Sequence, residues 1–451
     1  MPTLATTNST AGEELQGNRD YSMSGLRAFP ILCAGLLALA CFFNTVDLNY
    51  GYSGGEDHVG LDWQVAIKLV IAAACSSLGL LAILFSAQVR SALVSLPGCI
   101  LVALAFVFIV TSSVALPEAA TVARVAAIVN FGYLCFVPAA ISLLGLRRLT
   151  IICLIALVTN LVINWIMYLG FPASGVYEEE LWSNVIARRM GGLGHPNSVA
   201  RTGVLSIILA LSMLRSRDLA PRLPLGRTLL IAVIVLGCMT MLATFSRTAI
   251  VAGAFAVGLL LLDKIFTRIG MFYTVSAITM LIAAVVSLEL ISGGGFFSDS
   301  FLSMTTKTGD MEELTSATGR TAIWAESLRL ISLSPITGYG LNSAPFMMKE
   351  FSLHPHNVVL HASMSGGILA GLLVLVLLGW NFFFGLTSNE PLVRAISIYV
   401  LVSGIFEDTV LDTFASPSTL LWLVVLIYPT LEGLSRYKAS RQPQPTNLSH
   451  L

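Results

Sequence analysis

Long apolar segments recur along almost the whole chain and limit the folds that it can adopt. About twelve of them are long enough to cross a hydrocarbon core of about 30 Å, which takes about 20 helical residues. Of the 451 residues, 56% are hydrophobic and only 11% are charged, too few to cover a water-soluble surface. Helices satisfy their own backbone groups in lipid. We therefore predict an all-α, polytopic integral membrane protein of about twelve transmembrane helices.

The predicted spans form a single transmembrane helical domain at residues 25–435. They begin near Leu26, Val65, Val94, Ala120, Thr150, Ser198, Thr228, Thr248, Gly270, Asn357, Pro391 and Ser418. Between the ninth and tenth spans, residues 293–356 are predicted to form a large loop. Residues 1–24 are polar and precede an apolar run long enough to remain as a span, so we expect a disordered tail and no cleaved signal peptide. Residues 436–451 are predicted to be a second tail.

Arginine and lysine in the short connections predict the orientation, because such loops tend to stay in the cytoplasm. If the spans alternate, the basic residues of the short connections and of the C-terminal tail fall on one side. They are Arg90, Arg147, Arg148, Arg215, Arg217, Arg222, Arg227, Lys264, Arg268, Arg394, Arg436, Lys438 and Arg441. Both termini are therefore predicted to be cytoplasmic, and the loop at 293–356 to lie on the opposite, outer side.

Cysteine usage and charge exclude several classes of function. All seven cysteines fall inside predicted spans, where they act as small apolar residues rather than as disulfide partners. The formal net charge is zero and no basic block is interleaved with aromatic residues. We therefore expect no binding of nucleic acid.

The first polar motif of the outer side is RRMGGLGHPN, at residues 188–197. Asn197 is a predicted N-cap of the sixth span, and helix N-termini attract anions such as phosphate. Arg188 and Arg189 are candidate ligands of such an anion. The alternative is an ordinary polar loop whose arginines pair with the glutamates at 178–180. Arg201, one turn into the span, is a weaker candidate of the same kind.

The second motif is FSRTA, at residues 245–249, between two very apolar spans. An arginine near the bilayer costs on the order of 3 kcal/mol at a helix centre, although snorkelling reduces this near an interface. We therefore expect Arg247 to have a partner or an anionic ligand. The alternative is contact with lipid headgroups.

The third motif is TGRTAIW, at residues 318–324, which is followed by PITGYG at 335–340. Trp324, Leu328 and Ile331 recur at helical spacing, so we predict a short amphipathic helix that lies on the bundle. Arg320 at its N-terminal end would add a fixed cation to the positive end of a helix dipole. That placement favours a diphosphate site, against the alternative of a solvated surface arginine.

The fourth motif is HPHNVVLH, at residues 354–361. Asn357 is a predicted N-cap, which places His356 just before a helix N-terminus, whose dipole disfavours the imidazolium form. A neutral imidazole can act as a general base. The alternative is a structural capping role for one histidine. Zinc is not expected, because His354 and His356 flank a proline and no acidic or cysteine ligand is close in sequence.

These four motifs, in this order and on one face, resemble those of the O-antigen ligase and O-antigen polymerase superfamily over about residues 185–385. The resemblance implies a fold of the GT-C type in a bacterial inner membrane. It also implies transfer of a glycan from an undecaprenyl-diphosphate donor, at the periplasmic side, to a glycan, lipid A core or protein acceptor. Neither a metal nor another cofactor is implied, and membrane lipids are the remaining partners.

The resemblance assigns roles to individual residues. Arg188, Arg247 and Arg320 become the residues that hold the diphosphate, with Arg189 as the alternative to Arg188, and His356 becomes the activator of the acceptor hydroxyl. Supporting positions are His195, Asn197, Arg201, His354 and Asn357. Because arginine stabilises a diphosphate leaving group electrostatically, it would replace the charge of a metal. The hypothesis requires Arg188, Arg247, Arg320 and His356 to converge on one outward-facing cavity.

One departure from the resemblance concerns acidic residues. Many relatives carry an acid shortly before the glycine pair, where this chain has Met364 and Ser365. Glu407, Asp408 and Asp412 could neutralise the arginines, with Asp408 and Asp412 on one helical face. We favour the alternative that they are solvated residues at the end of a span.

A rival hypothesis is a flippase or other transporter of about twelve spans. Transporters usually place ionisable residues near the midplane and often contain internal repeats. Here the polar residues cluster at one face and no convincing repeat is found, so we favour the enzyme. Both a ligase and a polymerase fit the sequence, because they share the donor and differ in the acceptor.

Overall fold

A computed structural model describes residues 28–48, 62–180, 186–216, 224–261 and 320–441. In chain order its elements are α1 (Ala28–Phe43), α2 (Trp63–Phe85), α3 (Ala87–Leu93), α4 (Leu96–Ser113), α5 (Pro117–Gly170), α6 (Pro172–Gly175), β1 (Val176–Glu180), β2 (Ile186–Met190), α7 (Pro196–Arg215), α8 (Pro224–Thr244), α9 (Arg247–Leu261), α10 (Arg320–Leu333), α11 (Ala344–Met347), α12 (Val358–Thr387), α13 (Pro391–Phe406) and α14 (Pro417–Arg441).

The described residues form a mostly helical, multi-pass membrane protein, as predicted. Every predicted span within them overlaps a helix, and the ninth, near Gly270, lies outside them. Six of these helices are long and apolar enough to cross a membrane. One of the six, α5, has 54 residues and contains two predicted spans, because Gly145 interrupts it with a φ of 70°. The number twelve and the GT-C type stay predictions.

A β-hairpin modifies the prediction of an all-α fold. Strands β1 and β2 pair antiparallel, with Tyr177 opposite Arg189 and Glu178 opposite Arg188. Opposite charges across a strand pair stabilise it. Successive strand residues point to opposite faces, so the two neighbouring arginines are directed to different environments.

The long helix α5 forms the centre of the bundle. It packs against α1, α2, α4, α7 and α14. Leu149, Leu157 and Leu161 on α5 are fully buried, whereas apolar residues on the outer faces of the bundle, such as Leu84 and Leu242, are exposed. An apolar core combined with an apolar exterior is expected for helices that face lipid.

Helix α12 is broken one turn after His361, and the PITGYG segment fills the break. Gly366 and Gly367 leave the helical conformation. The backbone N–H groups of Tyr339 and Gly340 donate to the carbonyls of Met364 and Ser365, both at 2.8 Å. The broken helix therefore has its backbone groups satisfied by the loop rather than by its own next turn.

The break requires glycine on both sides of this contact. Gly367 has a φ of 71°, and a Cβ there would collide with the carbonyl of Ile336. Gly338 has a φ of 59°, and a Cβ on it would lie 2.5 Å from the Met364 carbonyl oxygen. The PITGYG segment and the glycine pair at 366–367 are thus packed directly against each other, after the first turns of α12.

Helix α10 forms where the amphipathic helix was predicted, and of the predicted face Ile331 is buried, Trp324 is half-buried and Leu328 is exposed. Leu330 and Ile331 pack with Met348 and Met364, which attaches the helix to α11 and α12. Leu328 is 57% exposed, so its predicted burial is wrong. The buried side follows Ser327, Leu330 and Ile331, because the helix contacts α12 along a narrow stripe.

Candidate active site

Glu407 joins two of the predicted site residues. Its Oε1 accepts from a guanidinium nitrogen of Arg320 at 2.8 Å, and its Oε2 lies 3.0 Å from Nδ1 of His356. The three residues come from the start of α10, the turn before α12 and the first residue after α13. One carboxylate therefore fixes the cation and the candidate base relative to each other.

The charges of this site stabilise one another. Burial alone would raise the pKa of the Glu407 carboxyl, but His356 and Arg320 hold it below its ordinary value. Burial and the nearby Arg247 charge lower the pKa of Arg320, and Glu407 partly offsets them. The lowered pKa keeps the Glu407 carboxyl ionised, and the Arg320 guanidinium stays charged under all ordinary conditions. The two residues therefore form an ion pair.

The backbone at His356 is constrained by its neighbours. His356 has a φ of 50°, an uncommon conformation for a residue other than glycine. The following residue, Asn357, caps α12 as predicted, with its side chain accepting from the N–H groups of Val359 and Leu360. Such conformations persist where surrounding structure imposes them and concentrate at functional sites.

Glu407 also determines the tautomer of His356. Since an ionised carboxylate can only accept, Nδ1 of His356 donates to it. In the neutral ring, Nε2 then carries the lone pair, which is the arrangement of an oriented general base.

Arg247 lies close to Arg320, as the motifs predicted. It is the first residue of α9, and the next residue, Thr248, accepts a hydrogen bond from Arg320 at 3.2 Å. The Arg320 guanidinium also lies over the ring of Phe406, 5.8 Å from its centroid. Two cationic side chains, those of Arg247 and Arg320, therefore lie near each other, and Arg320 shares Glu407 with His356.

The two arginines of the hairpin have different environments. Arg188 is 76% exposed and pairs with Glu178. Arg189 is 5% exposed and donates to Glu179, to Asn197 and to the carbonyl of Thr244. Pairing with the glutamates at 178–180, the alternative reading of this motif, is thus present. Arg189, rather than Arg188, faces inward and clamps the hairpin onto α7 and α8.

We predict that Arg189→Met lowers stability and that Arg188→Met does not. Breaking the hydrogen bonds of a buried charged group costs about 1.5–3 kcal/mol, whereas an exposed ion pair contributes about 0–1 kcal/mol. Thermal unfolding of the purified proteins in detergent compares the two variants. Equal stability of the two variants would contradict this prediction, and a stable Arg188→Met protein without activity would support the assignment of Arg188 to the substrate.

The cap of α7 differs from the prediction. Helix α7 begins at Pro196, and the N-cap is His195, whose Nδ1 accepts from the N–H of Asn197. Asn197 lies inside the first turn and accepts from Arg189 at 2.8 Å, so its prediction as N-cap is wrong. Burial and the Arg189 charge lower the pKa of His195 to about 3. His195 is therefore a neutral structural residue at ordinary pH.

A second histidine–carboxylate group adjoins the first. Asp408 Oδ2 lies 2.8 Å from Nδ1 of His361 and 3.3 Å from Nδ1 of His354. Burial opposes the ionisation of Asp408, yet the two histidines hold the pKa of its carboxyl well below the ordinary value. Burial would lower the pKa of His354, but Asp408 raises it.

These three residues are also close enough together to be considered as metal ligands. Their ligand atoms lie within 4.8 Å of one another. Asp408 supplies the acidic neighbour that was missing near the histidines in sequence. Nδ1 of His361 hydrogen-bonds to Oδ2 of Asp408 and Nδ1 of His354 lies 3.3 Å from the same oxygen, whereas a zinc ion needs separate ligands at about 2.0–2.2 Å. The observed arrangement is that of two histidines grouped around one carboxylate oxygen.

The preference for Glu407, Asp408 and Asp412 as solvated residues was wrong. Helix α13 ends at Phe406, so Asp408 and Asp412 do not share a helical face. Each acid instead has a cationic or imidazole partner, and that of Asp412 is Arg201, at 3.5 Å. The signal in the sequence was three acids within six residues, opposite four arginine and histidine motifs.

The predicted convergence is partly present. Arg320 and His356 meet at Glu407, and Arg247 lies near Arg320, but Arg188 pairs on the exposed face of the hairpin. Most of the supporting residues that the resemblance assigned have roles in this region as caps or as partners of the acids.

A comparison with known protein families identifies the part of the chain that contains the candidate site. Residues 231–375 match a family model described as O-Antigen ligase. The match includes Arg247, Arg320 and His356 and lies within the region 185–385 that carries the motifs. No curated protein matches the chain. The match at residues 231–375 thus supports the O-antigen ligase and polymerase superfamily that the motifs of the chain resemble.

Proposed function

We propose that this protein is a metal-independent glycosyltransferase of the bacterial inner membrane. It transfers a glycan from an undecaprenyl-diphosphate donor to an acceptor hydroxyl at the periplasmic face. The observation that carries the proposal is the single carboxylate of Glu407, which joins the cation Arg320 to the base His356. The site contains both a stabiliser for a leaving anion and an acceptor for a proton.

The proposed reaction uses these groups in one displacement. Nε2 of His356 takes the proton of the acceptor hydroxyl while its oxygen attacks the anomeric carbon of the donor. The bond between that carbon and the diphosphate oxygen breaks, and its electron pair leaves with the diphosphate. Arg320 and Arg247 stabilise the charge that develops there. Glu407 keeps His356 in the required tautomer through the hydrogen bond to Nδ1.

A deletion strain tests the proposal. Loss of the gene should remove the surface polysaccharide and cause lipid-linked glycan to accumulate on the periplasmic side, and a plasmid copy should reverse both changes. Mass analysis of the accumulated glycan separates the two activities: single repeats indicate a polymerase, and long unattached chains indicate a ligase. Unchanged polysaccharide and precursor would contradict the proposal. Precursor confined to the cytoplasmic side would support a flippase instead.

A further inference from the structure

A polar cavity of about 300 Å³ lies beside the candidate active site. It is formed by the end of α1 with the loop that follows it, by the first turns of α2 and α7, and by the segment 412–418 after α13. Glu407, five residues before Asp412, contacts Arg320 and His356, and Asp412 contacts Arg201 in the cavity wall. The connection between α13 and α14 therefore joins the two regions, and the proposed reaction leaves the cavity unassigned.

The wall of the cavity is rich in groups that recognise hydroxyls. Its amide and hydroxyl side chains are those of Asn44, Thr45, Ser198, Thr202, Thr413, Ser416 and Ser418. Two cations, Lys68 and Arg201, are balanced by two carboxylates, Asp47 and Asp412. Because the charges balance, the cavity favours a neutral, polyhydroxylated ligand over a free anion such as phosphate.

One side of the cavity is aromatic. Phe414 is half-buried, and Nζ of Lys68 lies 5.4 Å from the centroid of its ring. A flat apolar surface surrounded by convergent polar groups is typical of small-molecule sites, and such sites have volumes upward of about 300 Å³. This combination matches a sugar ring, which has an apolar face and a rim of hydroxyls.

Hydrogen-bond acceptors in the wall have capacity for a ligand. Among the described residues, none donates a hydrogen bond to the buried Oδ1 of Asn44, although Nδ2 of Asn44 donates to Tyr133 and to the carbonyl of Ala415. Oδ2 of Asp412 is likewise buried, with the Arg201 guanidinium 3.5 Å away. Buried acceptors are normally paired, so Asn44 and Asp412 have acceptor capacity that the described residues leave unused.

We propose that this cavity binds a sugar residue of the glycan substrate, an inference that rests on the proposed function. The sugar could belong to the acceptor or to the donor glycan, since both carry hydroxyl groups. Lys68 and Phe414 both line the cavity and are part-buried, so their replacement changes its wall.

Two probes separate the cavity from the diphosphate site. The first is the glycan released from its lipid by mild acid, prepared from the lipid-linked glycan of the deletion strain, and the second is undecaprenyl diphosphate without sugar. Calorimetry on the full-length protein in detergent measures the Kd of each probe. We expect Lys68→Met and Phe414→Ala each to raise the Kd of the released glycan about tenfold. The Kd of undecaprenyl diphosphate should stay unchanged in both variants. The matched control Lys349→Met changes an exposed lysine and should bind both probes as the wild type does.

The outcomes distinguish the two proposals. Equal affinity for the released glycan in the wild type and in both cavity variants, or no affinity in the wild type, would overturn the assignment of the cavity. If the wild-type protein of the same preparation does not transfer glycan, the proposed glycosyltransferase function is contradicted instead. In the transfer assay, competition of the released glycan against the acceptor or against the donor identifies which sugar occupies the cavity.

Discussion

His356→Gln is expected to lower the rate of glycan transfer by about 10²–10⁴, the usual contribution of a positioned general base. Glutamine can still donate a hydrogen bond to Glu407, but it cannot take the proton of the acceptor hydroxyl. Glu407 also keeps its ion pair with Arg320, at 2.8 Å, so the fold should tolerate the change. The purified variant, assayed with the lipid-linked glycan of a deletion strain, gives the rate.

Two further measurements make this result specific. Membrane accumulation and thermal unfolding of His356→Gln should match the wild type, which separates lost chemistry from lost structure. His450→Gln, near the C-terminus and outside all four motifs, is the matched control and should retain full activity. A folded His356→Gln protein with the wild-type rate would show that another group takes the proton.

Arg320→Gln is expected to lower the transfer rate by about 10²–10³, the typical loss when one preorganised donor to a developing anion is removed. Glutamine can donate a hydrogen bond to Glu407, but it lacks the positive charge that stabilises the leaving diphosphate. Arg320→Lys should recover part of the rate, because lysine keeps the charge and loses the planar fork of donors. Initial rates over a range of donor concentrations separate an effect on kcat from one on KM.

Arg329 supplies the control for this pair of variants. It lies on the same helix, is 58% exposed and pairs with Glu326. Arg329→Gln should therefore transfer glycan at the wild-type rate. If Arg320→Gln folds and is as active as Arg329→Gln, the assignment of Arg320 to the diphosphate is wrong.

The sequence motifs identified candidate site residues, but they did not identify the residues that these candidates contact. Arg247 and His356 could be singled out because each is a polar group where an apolar span begins or ends, and Arg320 because it begins an amphipathic helix. Glu407 was seen but judged to be solvated. Its partner His356 is 51 residues away in sequence, and no local pattern connects the two.

The choice between Arg188 and Arg189 shows the same limit in another form. The two residues are adjacent and chemically identical, so composition cannot separate them. Pairing of β1 with β2 directs Arg189 to Thr244 and Asn197 and leaves Arg188 exposed. Because side chains alternate along a strand, the register of the hairpin makes the choice.

The length and number of apolar segments were sufficient to determine from the sequence that this is a helical membrane protein. The reason is local: a helix that crosses lipid needs only enough consecutive apolar residues. The order of the four motifs likewise indicated the superfamily. Tertiary structure alone decided that Glu407 joins Arg320 to His356, that PITGYG fills the break in α12, and that a polar cavity adjoins the site. These features depend on contacts between distant segments, which form only when the helices pack.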